Sequence, residues 1–221
     1  MLSIADFRFF DPDARFSVTY GDLPHWEQPG ATYFITFRTA DSMPRTVVER
    51  WRRERDDWLT RQSGIAADLP WHKKLKMLED ERQHQFNRLF RHKFEQQLDR
   101  GMGECPFVDA ELARIIADSL THFDGERYHL GDFIVMPNHV HVLVCLFPEF
   151  RLLKQCYSWK HYMATEVNKI RGGDGPLWQT ESFDHLVREP GQFRKFQRYV
   201  GENPVKAGLS DGEFFHYAPE I

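Results

Sequence analysis

The chain has 221 residues, with 29 Lys and Arg against 33 Asp and Glu, for a formal net charge of −4. Its 41% apolar residues, among them 19 Phe, are enough for a packed core and exclude an intrinsically disordered chain. No apolar run approaches the roughly 18 residues of a membrane span, the start has no secretory-signal pattern, and Cys105, Cys145 and Cys156 form neither a CxxC module nor a disulfide framework, so a reducing, cytoplasmic setting is expected.

Residues 1–30 mix Pro12, Pro24, Pro29, Gly21 and Gly30 with aromatic side chains, which predicts an irregular arm. Residues 31–39 alternate, with Tyr33, Ile35 and Phe37 on one face and Thr32, Thr36 and Arg38 on the other, the period of a strand. Residues 45–62 place Val47, Trp51, Trp58 and Leu59 at helical spacing among many Arg and Glu. A second helical stretch follows from about Trp71 to Leu98, with a stripe of Leu75, Leu78, Phe86, Phe90, Phe94 and Leu98. Together these predict a helical insertion over about residues 45–100 in a single domain spanning 1–221.

After a loop at 100–106, Asp109 is an N-cap for a helix that buries Leu112, Ile115, Ile116 and Leu120. Two β-rich runs, 128–136 and 139–146, flank Pro137-Asn138 and read as a hairpin. Residues 150–171 are helical, with Leu152, Cys156, Met163, Val167 and Ile170 inward. A short extended piece over 182–188 precedes a helix at 192–201, which Pro204 interrupts or restarts.

Within the hairpin, His139 and His141 are alternate residues of one strand, so both imidazoles leave the same face. They can share a divalent metal, yet two ligands do not make a site, and two polar-face histidines fit the pattern as well. Tyr199 and Asn203 are four apart, one above the other on a helix. A tyrosine can attack phosphorus and an amide oxygen can ligate a metal. Asn203 before Pro204 is equally a helix N-cap, with Gly208 closing the short helix that follows.

Three segments resemble one family. Phe133-Ile-Val-Met-Pro-Asn-His-Val-His-Val-Leu143 resembles the HUH segment of the REP-associated tyrosine transposases and their single-tyrosine insertion-sequence relatives. Tyr199-x-x-x-Asn203-Pro-Val-Lys-Ala-Gly-Leu209 resembles their catalytic helix, and Trp178-Gln179 with Ser182–Arg188 the stretch before it. The three follow the family's order and spacing across residues 128–209. The resemblance implies an α+β, ferredoxin-like core: an antiparallel sheet of four to five strands with helices mainly on one face, plus the helical insertion.

The resemblance also implies His139, His141 and Asn203 as metal ligands and Tyr199 as nucleophile. It implies magnesium or manganese, although imidazole by itself suits zinc, copper, iron or nickel better. The implied activity is metal-dependent cleavage and rejoining of single-stranded DNA near REP-like hairpins, through a covalent 5′-phosphotyrosine, as in DNA transposition and recombination. A DNA-hairpin binding protein with vestigial or regulatory nuclease activity is the alternative. A small-molecule metallohydrolase would need further His or carboxylate ligands.

From Arg151 to Leu209 there are ten Lys or Arg against six Asp or Glu, a local excess that suits DNA. Lys160 and Arg188, then Lys154, Arg194, Lys195, Arg198 and Lys206, are candidate phosphate contacts. Trp26, Trp159 and Trp178 are candidates for base stacking or for core packing. A monomer is favoured over a homodimer.

Overall fold

The computed structural model describes residues 2–20, 24–64, 69–98 and 102–221, the side chains of 91–98 excepted. The chain divides into two compact units, Met43–Met102 and the remainder, Met1–Ser42 with Gly103–Ile221. In chain order the larger unit begins with a 3-10 turn at Ile4–Asp6, β1 (Ser17–Tyr20), β2 (Pro24–Glu27) and β3 (Thr32–Arg38). The smaller unit holds α1 (Arg45–Ser63), α2 (Trp71–Lys76) and α3 (Asp80–Leu98). The larger unit resumes with α4 (Ala110–Thr121), β4 (Tyr128–Met136), β5 (His139–Leu146), α5 (Leu152–Arg171), β6 (Phe183–Leu186), α6 (Pro190–Lys206) and β7 (Phe215–Tyr217).

Five strands form one antiparallel sheet in the order β6-β3-β5-β4-β7. The βαββαβ path from β3 to β6 is ferredoxin-like, and it leaves β5 at the centre. Side-chain parity then sorts the layers. Tyr33, Ile35 and Phe37 of β3 and Val140, Val142 and Val144 of β5 join α4 and α5 in one core. Phe34, Ile134, Met136 and Leu143 join Phe193, Phe196 and Val200 of α6 in another, on the opposite face. Two of the larger unit's long helices therefore lie on one face and α6 on the other.

Local signals explain most of these elements. The Asp109 side chain accepts the Glu111 amide at 2.9 Å and caps α4. Gly172, at φ 65°, ends α5 in the left-handed conformation. Tyr128 is wholly buried, and its hydroxyl donates to the Leu120 carbonyl at 2.8 Å and accepts from Trp159 Nε1 at 3.2 Å, so the α4–β4–α5 core holds no orphaned phenol.

Four details differ from the expectations. The arm over 1–30 is not wholly irregular, because β1 and β2 pair antiparallel. Phe16 stacks on Trp26 at 5.3 Å, and Pro24 begins β2, a strand position that proline tolerates. The stretch from Trp71 to Leu98 is two helices, and Gln83 Nε2 donates to the Leu78 carbonyl where they part. Phe94 and Leu98 lie outside the described side chains. Ile170 is exposed, in the last turn of α5 beyond the buried row of Leu152, Cys156, Trp159, Met163 and Val167. Pro204 neither interrupts nor restarts α6, which runs through it.

The smaller unit packs Leu59, Leu75, Leu78, Phe86 and Phe90 with Trp51, Trp58 and Trp71. The Arg55 guanidinium lies over the rings of Trp51 and Trp71, at 5.4 and 4.8 Å, so its charge is buried against aromatic faces. Among the described residues no helix is long and apolar enough to cross a membrane.

One glycine sits where β4, β5 and α6 come close together. A Cβ at Gly131, within the β4 irregularity between Leu130 and Phe133, would stand 3.1 Å from Leu143 Cβ and 3.5 Å from Phe193 Cζ. Beside it, Gln197 donates to Asp132 at 2.8 Å. Gly131→Ala should lower unfolding free energy by about 1–3 kcal/mol through overpacking. Gly175→Ala, where a Cβ meets nothing within 4 Å, should stay within about 0.5 kcal/mol of wild type. Urea unfolding of the two variants checks the contrast.

Candidate active site

β5 is bonded on one side to β3 and on the other to β4, so its side chains have fixed directions. His139 and His141 both face α6, with ring centroids 4.7 Å apart. The His141 ring stacks on Phe34 of β3 at 5.3 Å, and Phe34 stacks on Phe196 of α6 at 4.3 Å. Tyr199 meets both His141 and Phe34 edge-on, at 5.2 and 5.8 Å. The structure therefore brings His139, His141 and Tyr199 into one cluster. Asn203 lies one turn further along the same side of α6.

Asn203 does not cap a helix. The N-cap of α6 is Glu189, and the Asn203 main-chain carbonyl accepts from the Ala207 amide at 3.0 Å, as in a helix interior. Asn203 is 2% exposed, and its Oδ1 has no hydrogen-bond partner. A buried amide oxygen left this way carries a desolvation cost unless something else meets it.

The imidazoles are held from behind. The Asn138 side-chain amide oxygen can only accept, so His139 Nδ1 carries a proton and donates to it at 2.8 Å. That leaves the lone pair on Nε2, which is buried and has no hydrogen-bond partner. Burial, then the nearby Arg38 charge, pulls His139 down to a pKa of about 3, so the ring is neutral at physiological pH. The Thr36 hydroxyl and His141 Nδ1 are 2.8 Å apart. Second partners of this kind fix the orientation of ligating histidines.

Among the described residues, no three His, Cys, Asp or Glu side chains form a metal-holding group. A metal here would rest on the two histidines and an amide oxygen. The buried, unsatisfied His139 Nε2 and Asn203 Oδ1 are donors of the right kind, and neither brings a negative charge.

The candidate DNA contacts divide by element. Arg194, Lys195, Arg198 and Lys206 are exposed on α6, and Arg188 is exposed just before it. Lys206 Nζ lies 5.4 Å from the Tyr199 ring centroid and pairs with Glu202 at 2.8 Å. Lys154 and Lys160 belong to α5, on the opposite face. Lys160 is half-buried and donates to the carbonyls of Gln179, at 2.5 Å, and Thr180, at 2.8 Å, so it ties down the segment before β6. Trp159 and Trp178 are buried in the core.

Sequence reading did not single out Thr36, Asn138, Phe34 or Arg38 for this site. The alternation of residues 31–39 already put Thr36 and Arg38 on one face, but nothing local marked that face as buried. A second polar cluster was also missed: the His25 ring pairs with Asp184 and stands 3.9 Å from Glu181. Burial by itself would lower the His25 pKa, but hydrogen bonds to the two carboxylates outweigh it and hold the value up at about 10.

No family model matches the chain, and no curated protein does. Among solved structures, a REP-associated tyrosine transposase bound to a REP hairpin is similar at 12% identity and a TM-score of 0.47, over 86% of this chain and 76% of that one.

The two histidines make opposite contributions to stability. The His139 pKa is lower in the folded than in the unfolded chain, so its contribution is lost as pH falls from about 6.5 toward about 3. The His25 pKa is raised, so its contribution is intact below about 6.5 and is lost as pH rises toward about 10. Against His139→Gln, wild-type stability should fall on the acid side by up to about 1.4 kcal/mol per pH unit. Urea unfolding of both proteins between pH 4 and 7 (pH values set by the ~6.5 reference) reads this difference, and parallel curves would contradict it.

Proposed function

We propose that this chain is a metal-dependent, single-strand DNA endonuclease and strand transferase of the HUH type, acting near DNA hairpins with Tyr199 as nucleophile. The observation that carries this reading is the meeting of Tyr199 with His141 across the β5–α6 interface, with the buried Asn203 oxygen one turn away. The resemblance of residues 128–209 to single-tyrosine transposases supports it and is the basis for hairpin DNA as substrate.

His139, His141 and Asn203 would hold a magnesium or manganese ion. What such an ion supplies when bound is charge neutralisation and polarisation of the phosphate oxygens. The neutral imidazole of His139 leaves room for an anionic phosphate as the remaining ligand. Asn138 and Thr36 hold the two rings in place. Phe34 and His141 flank the Tyr199 ring, which fixes where its hydroxyl can go. Lys206 Nζ lies 5.4 Å from the centroid of that ring and pairs with Glu202. Attack by the Tyr199 oxygen on phosphorus leaves a 5′-phosphotyrosine and a free 3′-hydroxyl, and a 3′-hydroxyl can reverse the step.

The test uses hairpin oligonucleotides with randomised single-stranded arms, incubated with manganese or magnesium and run on a denaturing gel. Wild type should give a covalent protein–DNA band, and Tyr199→Phe should give none. Asn138→Ala and Thr36→Val should raise the manganese concentration for half-maximal adduct by about 10- to 100-fold. Tight hairpin binding with no adduct under either metal would establish the binding-protein alternative instead.

A further inference from the structure

We infer that Arg38 is a catalytic residue of this site, and that its guanidinium contacts the non-bridging oxygens of the scissile phosphodiester. The inference rests on the endonuclease reading above.

Position is the first argument. Arg38 is the last residue of β3 and the register partner of His139. It leaves the sheet on the same face as Phe34 and Thr36, which touch His141 by stacking and at 2.8 Å respectively.

Burial is the second. Arg38 is 6% exposed, in the same water-excluded layer as His139, His141 and Asn203, where a charged donor acts on a bound anion with little screening by solvent.

Chemistry is the third. Neither the imidazoles nor the Asn203 amide brings a negative charge, and no carboxylate or thiolate completes a cluster with the histidines among the described residues. The substrate brings a monoanion. In the reaction the Tyr199 oxygen–phosphorus bond forms and the phosphorus–O3′ bond breaks. The tyrosine proton is lost and one proton ends on O3′, with no change in oxidation state. Negative charge builds on the two non-bridging oxygens at the five-coordinate stage. A planar guanidinium fork matches two such oxygens, where an ammonium offers only a point charge. A donor aimed at developing charge in a site closed to water is worth about 100- to 1,000-fold in rate.

The test compares wild type, Arg38→Lys and Arg38→Met on a hairpin oligonucleotide that wild type cleaves, under single-turnover conditions. Arg38→Met should form adduct about 100-fold more slowly, and Arg38→Lys should recover only part of that loss. The deciding substrate carries a methylphosphonate at the scissile step, which removes one anionic oxygen. It should slow wild type strongly and Arg38→Met little further, a coupling that damage to the fold would not produce. If Arg38→Met does not fold, the same comparison between Arg38→Lys and wild type decides. Binding of the phosphate and methylphosphonate oligonucleotides to Tyr199→Phe, with and without Arg38→Lys, in EDTA reads the contact without turnover. Equal slowing of wild type and variant by the methylphosphonate, or full rates in Arg38→Met, would overturn the role of Arg38 alone. Absence of any Tyr199-dependent adduct from wild type would overturn the endonuclease reading and this inference with it.

Discussion

The five-stranded sheet is covered on both faces, and this constraint shapes everything at the site. A sheet open to water on one side can place polar residues there at no cost. Here α4 and α5 close one face and α6 closes the other, so each polar side chain on β3 and β5 must find a partner or stay unsatisfied. His139, His141, Thr36, Arg38 and Asn203 are all taken out of water on the α6 face. Some of their atoms satisfy one another. His139 Nε2 and Asn203 Oδ1 do not have protein partners, and their position beside the tyrosine gives the arrangement its chemical direction.

The precision of that arrangement comes from apolar packing around it. The stack of Phe34 on Phe196 joins β3 to α6, and Tyr199 and His141 lean on the same phenyl ring. Gly131 leaves room for Leu143 of β5 with Phe193 of α6 packed alongside, and Asp132 receives Gln197 beside it. The helix is thus set against the sheet at several points, most of them outside the candidate metal ligands. Geometry on the scale that chemistry needs comes from such rigid elements rather than from loops.

Much of this was legible in the chain. The two runs around Pro137-Asn138 gave the hairpin, and the H-x-H spacing put both imidazoles on one face. Asp109 announced α4, and the alternation of residues 31–39 gave β3. What stayed hidden depended on tertiary structure. Pro204 reads locally as a stop, yet the buried face of α6 carries the helix through it, and with it Asn203 becomes an interior residue instead of a cap. The prolines and glycines of the first thirty residues read as irregular, because the stacking of Phe16 on Trp26 links residues ten apart. Arg38 read only as a residue of the strand's second face, because no strand pattern tells that α6 will cover it.

The central place of β5 has a consequence for how such a chain can vary. Single substitutions around the histidines change packing but leave both rings on the α6 face. Insertion or deletion of one residue within His139–Leu146 is different in kind. It would send every later side chain of the strand to the opposite layer, and between His139 and His141 it would bury the second imidazole among Val and Ile and turn Val142 toward the tyrosine. With β3 and β4 bonded along both of its edges, β5 has no free edge at which to absorb the shift. The strand is therefore open to drift in side-chain identity and closed to drift in length, whereas Gly172–Gly175, where an added Cβ meets no neighbour within 4 Å at any glycine, has no such bar to changing length.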